Sequence, residues 1–469
     1  MPKDTRRGSD VATLFGQVPA LAEEVAEHVA RGPITPFLTP GQIRRQLATG
    51  FDLSSPMPLE DVLREVVSML DDGMVQVTHP RYFGLFNPSV TPASVVADVL
   101  VAAYNPQLAA WSHAPVANEM ERLVLDRLME HFGFHPATSA ANFTAGGAEA
   151  NLTALLVALA HRFPSFPASG ARALPRDPVL FVSAESHHSL HKAAQMAGLG
   201  RESVRTVPTD TDAKMDPEAV ARLVGQERAG GREPFLVVGT AGSTSTGVID
   251  PLEGLGAVCR AERLWFHVDA AWGGAAALSA KFRPHLAGIE LADSITCDAH
   301  KWLSVPMAAG MFFCRHPGAV RTAFSVPTPY MPVAVTEEVI DPFTTTVQWS
   351  RRFIGLKLLM SLAERGVPGY AAMIERQAEL GDHLRRELRR RGWRVVNATP
   401  LPLVCFTREG LDVPRLVDEL LRRQVAWMST VPVDGKEVIR ACVTSFRTER
   451  DDIEAVVAEM TRMADGSLD

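Results

Sequence analysis

Long hydrophobic runs are missing from the early part of this 469-residue chain. Its most apolar early stretch, Val95 to Tyr104, is interrupted by Asp98 and is far too short to cross a bilayer. No long apolar core follows the opening Met1-Pro2-Lys3-Asp4-Thr5-Arg6-Arg7, which argues against a secretory signal, and no membrane partner is expected. Cysteine is scarce as well. The five present, Cys259, Cys297, Cys314, Cys405 and Cys442, include no C-x-x-C pair. That scatter suits reduced thiols packed as small apolar side chains, and cytoplasmic is the expected location. A basic tract able to follow a phosphate backbone is absent and the net charge is only −7, so no nucleic-acid partner is expected. Nor does a G-x-G-x-x-G follow the first strand with an acid about twenty residues on, which argues against a bare dinucleotide-binding fold.

What is there is ordinary globular protein: 46% apolar and 22% charged residues, in a chain long enough to bury a large core. Residues 1–90 alternate polar helical stretches with Pro-rich turns such as Gly32-Pro33-Ile34-Thr35-Pro36, and read as an N-terminal helical arm. Asn118 to Phe132 sets Met120, Leu123, Val124 and Leu128 at helical spacing. Short apolar runs then alternate with helical stretches: Val179–Val182, Phe235–Val238, Leu264–Val268, Ser294–Thr296 and Met311–Phe313. Continuous apolar strands separated by helices require a mostly parallel sheet covered on both faces. Residues 91–345 are accordingly read as a large α/β domain. Residues 346–469 form a smaller C-terminal α+β domain, with a long helix from Phe353 and candidate strands at Arg394–Val396, Leu403–Phe406 and Val438–Val443.

Four local patterns bear on chemistry. Phe143-Thr144-Ala145-Gly146-Gly147-Ala148-Glu149 ends a turn where a helix from Ala150 to Leu159 is expected, and the free N–H groups of a helix start suit a phosphate. Alone, a Gly-Gly turn before a helix is usually only a turn. Trp265-Phe266-His267-Val268-Asp269 delivers a carboxylate at a strand end, where open α/β sheets bind ligands, although a lone Asp there is more often a cap. Asp298-Ala299-His300-Lys301-Trp302 sets a lysine between His and Trp just past another strand; such a lysine can form a Schiff base, or can simply be solvated. His187, His188 and His191 have no acidic or Cys partners at zinc spacing, so no metal is expected. Phosphate cradle, strand-end Asp and His-Lys, in that order, are the parts a pyridoxal-phosphate enzyme needs.

These residues resemble the group II pyridoxal-phosphate-dependent amino acid decarboxylases, relatives of aromatic L-amino acid, glutamate and cysteine-sulfinate decarboxylases. The likeness runs from His79-Pro80-Arg81-Tyr82-Phe83-Gly84 through Asn105-Pro106-Gln107, Glu119-Met120-Glu121-Arg122, Asn151-Leu152-Thr153-Ala154-Leu155-Leu156, Gly247-Val248-Ile249-Asp250-Pro251 and His267-Val268-Asp269-Ala270-Ala271 to Arg351-Arg352-Phe353. It implies the type I, aspartate aminotransferase-like fold, with a mostly parallel seven-stranded sheet and a small C-terminal domain. It also implies a homodimer whose active sites lie at the subunit interface.

By the same resemblance Lys301 is the Schiff-base lysine, Asp269 the partner of the pyridine nitrogen and His187 the residue stacked on the ring. Gly147 and Ala148 hold the phosphate, Ala148 replacing a frequent Ser or Thr. Thr240, Ser243 and Thr244 lie in a cofactor-contacting loop, Ala271 packs beneath the ring and His300 adjoins the phosphate. Tyr330, in the Pro-rich and nearly uncharged stretch from Ser325 to Asp341, matches a lid tyrosine that protonates the α-carbon. Relatives that form aldehydes carry Phe there, so Tyr330 argues for simple decarboxylation. Leu85, Phe86, Trp111, His113 and Arg351 are the candidate substrate residues, with a lean to an aromatic or bulky apolar L-amino acid. Acidic and diamino substrates stand close behind. Two other functions stay open: the same fold with other chemistry (aldehyde-forming oxidative decarboxylation, transamination or lyase chemistry), and a non-catalytic binding protein.

Overall fold

The computed structural model describes residues 29, 32–174, 176–326, 328 and 339–466. Seven strands build the main sheet: β1 (Ala140–Thr144), β2 (Pro178–Ser183), β3 (Val204–Val207), β4 (Glu233–Thr240), β5 (Trp265–Asp269), β6 (Ser294–Asp298) and β7 (Gly310–Cys314). Their order is β1-β7-β6-β5-β4-β2-β3. The pairs among β2 to β6 are parallel, while β7 runs antiparallel to both its neighbours. The central strands are buried along their length, as sheets covered on both faces require. Register brings Thr240, Asp269 and Thr296 into one row across β4, β5 and β6. That row lies near the C-terminal strand ends, where a sheet of this kind presents its ligand site.

The expected strands all form, but two expected helices start elsewhere. The helix anticipated from Ala150 begins three residues earlier and spans Gly147–Arg162, so the glycine turn itself supplies the helix N-terminus. The long helix anticipated from Phe353 begins at Leu356 and runs to Arg390, interrupted by a non-helical Gly366. Its start is delayed because the Ile354 and Gly355 amides both donate to Glu121 Oε1, at 2.9 Å each, instead of entering a helical turn.

A second sheet, β8 (Arg394–Val395), β9 (Leu403–Thr407), β10 (Ser429–Val433) and β11 (Lys436–Cys442), has the order β10-β11-β9-β8 and is antiparallel throughout. Helices Val413–Arg422 and Arg450–Asp465 cover it, enclosing a core of Leu416, Leu420, Ile453, Val457 and Met460. Segment 82–86 is tied onto this sheet: Phe83 N donates to Trp427 O at 2.8 Å and Cys442 N to Phe83 O at 2.9 Å. That tether delivers Phe86 to the junction of the two sheets. Among the described residues, no helix is long and apolar enough to cross a membrane.

Candidate active site

Lys301 follows β6 directly, and its Nζ lies 3.1 Å from Asp298 Oδ2. The Asp298 carboxylate is almost fully buried and its Oδ1 has no hydrogen-bond partner among the described residues. His300 Nε2 stands 3.6 Å from the same Oδ2. His300 Nδ1 accepts from Ala309 N at 3.0 Å, which leaves the ring proton of the neutral form on Nε2. Burial pushes the His300 pKa down, partly offset by Asp298.

The glycine turn closes around this group. A Cβ on Gly147 would sit 2.9 Å from Asp298 Oδ2 and 3.3 Å from Ala271 Cβ, and one on Gly146 would meet His300 Cε1 at 3.3 Å. Only backbone fits, at the N-terminus of a sixteen-residue helix, as an anion cradle needs. Ala148, the next residue, is exposed.

Asp269, at the end of β5, is buried: its Oδ2 accepts from Asn151 Nδ2 at 2.8 Å and its Oδ1 from Ala271 N at 3.1 Å. His187 is open to solvent on one side. Desolvation of the other side lowers its pKa, with Asp269 opposing and Lys301 reinforcing the shift, which places the ring within the field of both. Thr240 Oγ1 lies 3.3 Å from Ser186 Oγ. The Ser243 hydroxyl is occupied inside its own loop, 2.9 Å from Thr246 Oγ1 and accepting from Val248 N at 3.2 Å. Thr244 offers its carbonyl to Arg440 Nε at 2.8 Å.

The candidate substrate residues separate into two groups. Phe86 stacks on Trp272 with centroids 4.5 Å apart and lies 5.9 Å from Lys301 Nζ, whereas Leu85 points outward, 53% exposed. Trp111 and Arg351 instead line one cavity together with Glu121. Trp111 Nε1 donates to Glu119 at 2.8 Å, and buried Arg351 pairs with Glu121 Oε2 at 2.6 Å. His113 is exposed. Among the described residues, no hydrogen bond or ion pair links Trp111, His113 or Arg351 to Lys301, Asp269 or His187. Tyr330 lies outside the described residues.

Besides Asn151, a second residue at the site was not anticipated. Arg440, in β11, is 2% exposed with its guanidinium 4.8 Å from the Phe86 ring centre. Nη1 donates to Gly84 O at 2.6 Å, and Nη2 has no partner among the described residues. The signal was present in Val438-Ile439-Arg440-Ala441-Cys442-Val443, where an arginine interrupts an apolar strand.

A lysine beyond a strand, a buried carboxylate at the next strand end and a backbone-only anion cradle on a seven-stranded α/β sheet define a pyridoxal-phosphate enzyme. Residues 40–409 match the family model described as the pyridoxal-dependent decarboxylase conserved domain, and the chain belongs to that family. It is 32% identical over 352 residues to an L-aspartate decarboxylase of Metarhizium robertsii, covering 74% of this chain and 68% of the relative. Against an aromatic-L-amino-acid decarboxylase of Bacillus atrophaeus it is 26% identical over 451 residues, covering 93% and 92%. The crystal structure of mouse CSAD superposes with a TM-score of 0.91 at 26% identity, over 98% of this chain and 99% of the other. The protein is thus a pyridoxal-phosphate-dependent carboxy-lyase of the amino acid decarboxylases.

Proposed function

We propose that this chain releases the α-carboxylate of an L-amino acid as carbon dioxide and returns the amine, with the cofactor carried on Lys301. The observation that carries the reading is the convergence of Lys301, Asp298, His300 and the Gly146–Gly147 turn within contact distance, beside a buried Asp269. When bound, pyridoxal phosphate supplies an electron-poor ring that takes up the charge left at the α-carbon. Asp269 opposes the ring nitrogen and favours its protonated, more electron-withdrawing form. The amides at Gly147 and Ala148 hold the phosphate with His300 beside it, and His187 covers the ring. Ala271 packs beneath it, and Thr240, Ser243 and Thr244 shape the adjoining loop. Phe86 and Trp272 exclude water from one side of the pocket. Tyr330 delivers the proton to the α-carbon, the role that makes the amine rather than an aldehyde the product.

For the substrate, the Phe86–Trp272 wall favours an aromatic or bulky apolar side chain. A second reading, an acidic amino acid, is favoured by Arg440, whose unpartnered buried Nη2 is suited to a carboxylate. Carbon dioxide release measured across the twenty amino acids, cysteine sulfinate, DOPA and diaminobutyrate separates the two. We further propose a cytoplasmic homodimer. Its support is the exposed apolar set Val95, Val96, Leu100 and Tyr104 on helix Pro92–Tyr104 and five unpaired, buried cysteines. Replacing Lys301 by Ala should abolish the visible absorbance acquired on adding pyridoxal phosphate; retention of that band refutes the assignment.

A further inference from the structure

Behind Asp269 the interior of the main sheet is polar where apolar packing is the norm. Asn151, His267, Ser294 and Thr296 are each no more than 1% exposed. Asn151 Nδ2 donates to Asp269 Oδ2 at 2.8 Å, and its Oδ1 lies 3.1 Å from His267 Nε2 and 3.0 Å from Thr296 Oγ1. His267 Nδ1 is 2.9 Å from Ser294 Oγ, which also receives Trp265 Nε1 at 2.9 Å.

The two ends orient the groups next to them. An indole N–H can only donate and a carboxylate can only accept. The amide of Asn151 must therefore turn its NH₂ toward Asp269, and its oxygen then needs donors. The Thr296 hydroxyl supplies one; the His267 tautomer with its proton on Nε2 supplies a second and leaves Nδ1 to accept from the Ser294 hydroxyl, whose oxygen remains free for the indole. A second proton on His267, at Nδ1, would turn the bond to Ser294 around. Complete burial lowers the His267 pKa to about 4, which keeps the ring neutral.

We propose that Trp265, Ser294, His267 and Asn151 form a one-directional hydrogen-bond chain that sets the orientation of the Asp269 carboxylate, with His267 and Asn151 as positioning residues for the cofactor. Buried bonds aligned in this way reinforce one another. Ala271 N takes up Oδ1, and the remaining acceptor capacity of Asp269 is left for the ring nitrogen. The inference rests on the assignment of Asp269 to that nitrogen.

The test uses the full chain with pyridoxal phosphate and needs no turnover. Its readouts are the circular dichroism induced in the bound cofactor, which reports fixed orientation, and the cofactor Kd by equilibrium dialysis. His267→Leu is expected to weaken pyridoxal phosphate binding about tenfold, as loss of one buried hydrogen bond behind Asp269 implies, and to reduce the induced signal. His267→Gln, which still donates to Asn151, restores most of both. Should His267→Leu not fold, Ser294→Ala carries the same test: a reduced induced signal supports the chain and an unchanged one overturns it. Asp269→Asn separates the two levels of argument. If it leaves affinity and signal intact, the Asp269 assignment fails; if it disturbs them while His267→Leu does not, the hydrogen-bond chain alone fails.

Discussion

Glu121→Ala should be among the most destabilising single substitutions in this protein. Glu121 Oε2 neutralises Arg351 at 2.6 Å, and both side chains are 4% exposed. Oε1 accepts the Ile354 and Gly355 amides ahead of the long helix. Arg351 Nε and Nη1 have no other partner among the described residues, so truncating Glu121 strands a buried cation. Such a loss costs about 3–5 kcal/mol, and each orphaned buried amide adds about 1–3 kcal/mol. Because relaxation shares these costs, about 4–6 kcal/mol in all is expected. Glu121→Gln keeps an acceptor and should lose roughly half as much. The double variant Glu121→Gln with Arg351→Met, which removes both charges, should recover most of the remainder. Urea unfolding followed by far-ultraviolet circular dichroism, without added cofactor so that ligand linkage does not contribute, measures the midpoints. A loss below about 1 kcal/mol for Glu121→Ala, or a double variant less stable than Glu121→Ala, refutes the reasoning.

Gly147→Ala places a methyl 2.9 Å from the Asp298 carboxylate; it should weaken pyridoxal phosphate binding about tenfold or more while moving the melting temperature little, as dialysis and calorimetry would show. Arg440→Met should raise KM for an acidic substrate far more than for an aromatic one, and an equal effect on both would remove the acidic reading. Stability should fall on acidification. Burial lowers His79 and His267 from 6.5 to about 4, so between those pH values the unfolded chain binds their protons and the folded chain does not. Asp250, raised from 3.8 to about 6, has the opposite sign, since its folded form takes up a proton first. Across these three groups the net is about one proton, or about 1.4 kcal/mol lost per pH unit from 6 to 4; the lowered His131, His161, His187, His191 and His300 add to it and the raised Asp126 opposes it. Unfolding midpoints should fall across that range, and His267→Gln should make the fall shallower.

The strands legible in the sequence were mostly those buried on both sides. Val179–Val182, Phe235–Val238 and Leu264–Val268 announce themselves as unbroken apolar runs because every residue of a central parallel strand faces protein. The strands that escaped were β1, β3 and β10, all at sheet edges. Their sequences, Ala-Ala-Asn-Phe-Thr, Val-Arg-Thr-Val and Ser-Thr-Val-Pro-Val, carry the polar residues and the proline that an open edge admits. The site divides similarly. Lys301, Asp269 and Gly147 stand in compact motifs at element ends and were read as site residues from spacing and resemblance. Asn151 and Arg440 were not assigned to the site, because their roles arise from contacts spanning 118 residues in one case and 196 in the other. Arg351 showed the converse: its motif is plain, but the structure pairs it with Glu121.

Arg440 belongs to β11 yet grips the carbonyls of Gly84 and Thr244, so three stretches far apart in the chain meet at one guanidinium. A polypeptide halted before β11 holds all seven strands of the main sheet, lysine included, and lacks this guanidinium. The residues that hold the cofactor are thus laid down before the arginine that ties Gly84 and Thr244 together.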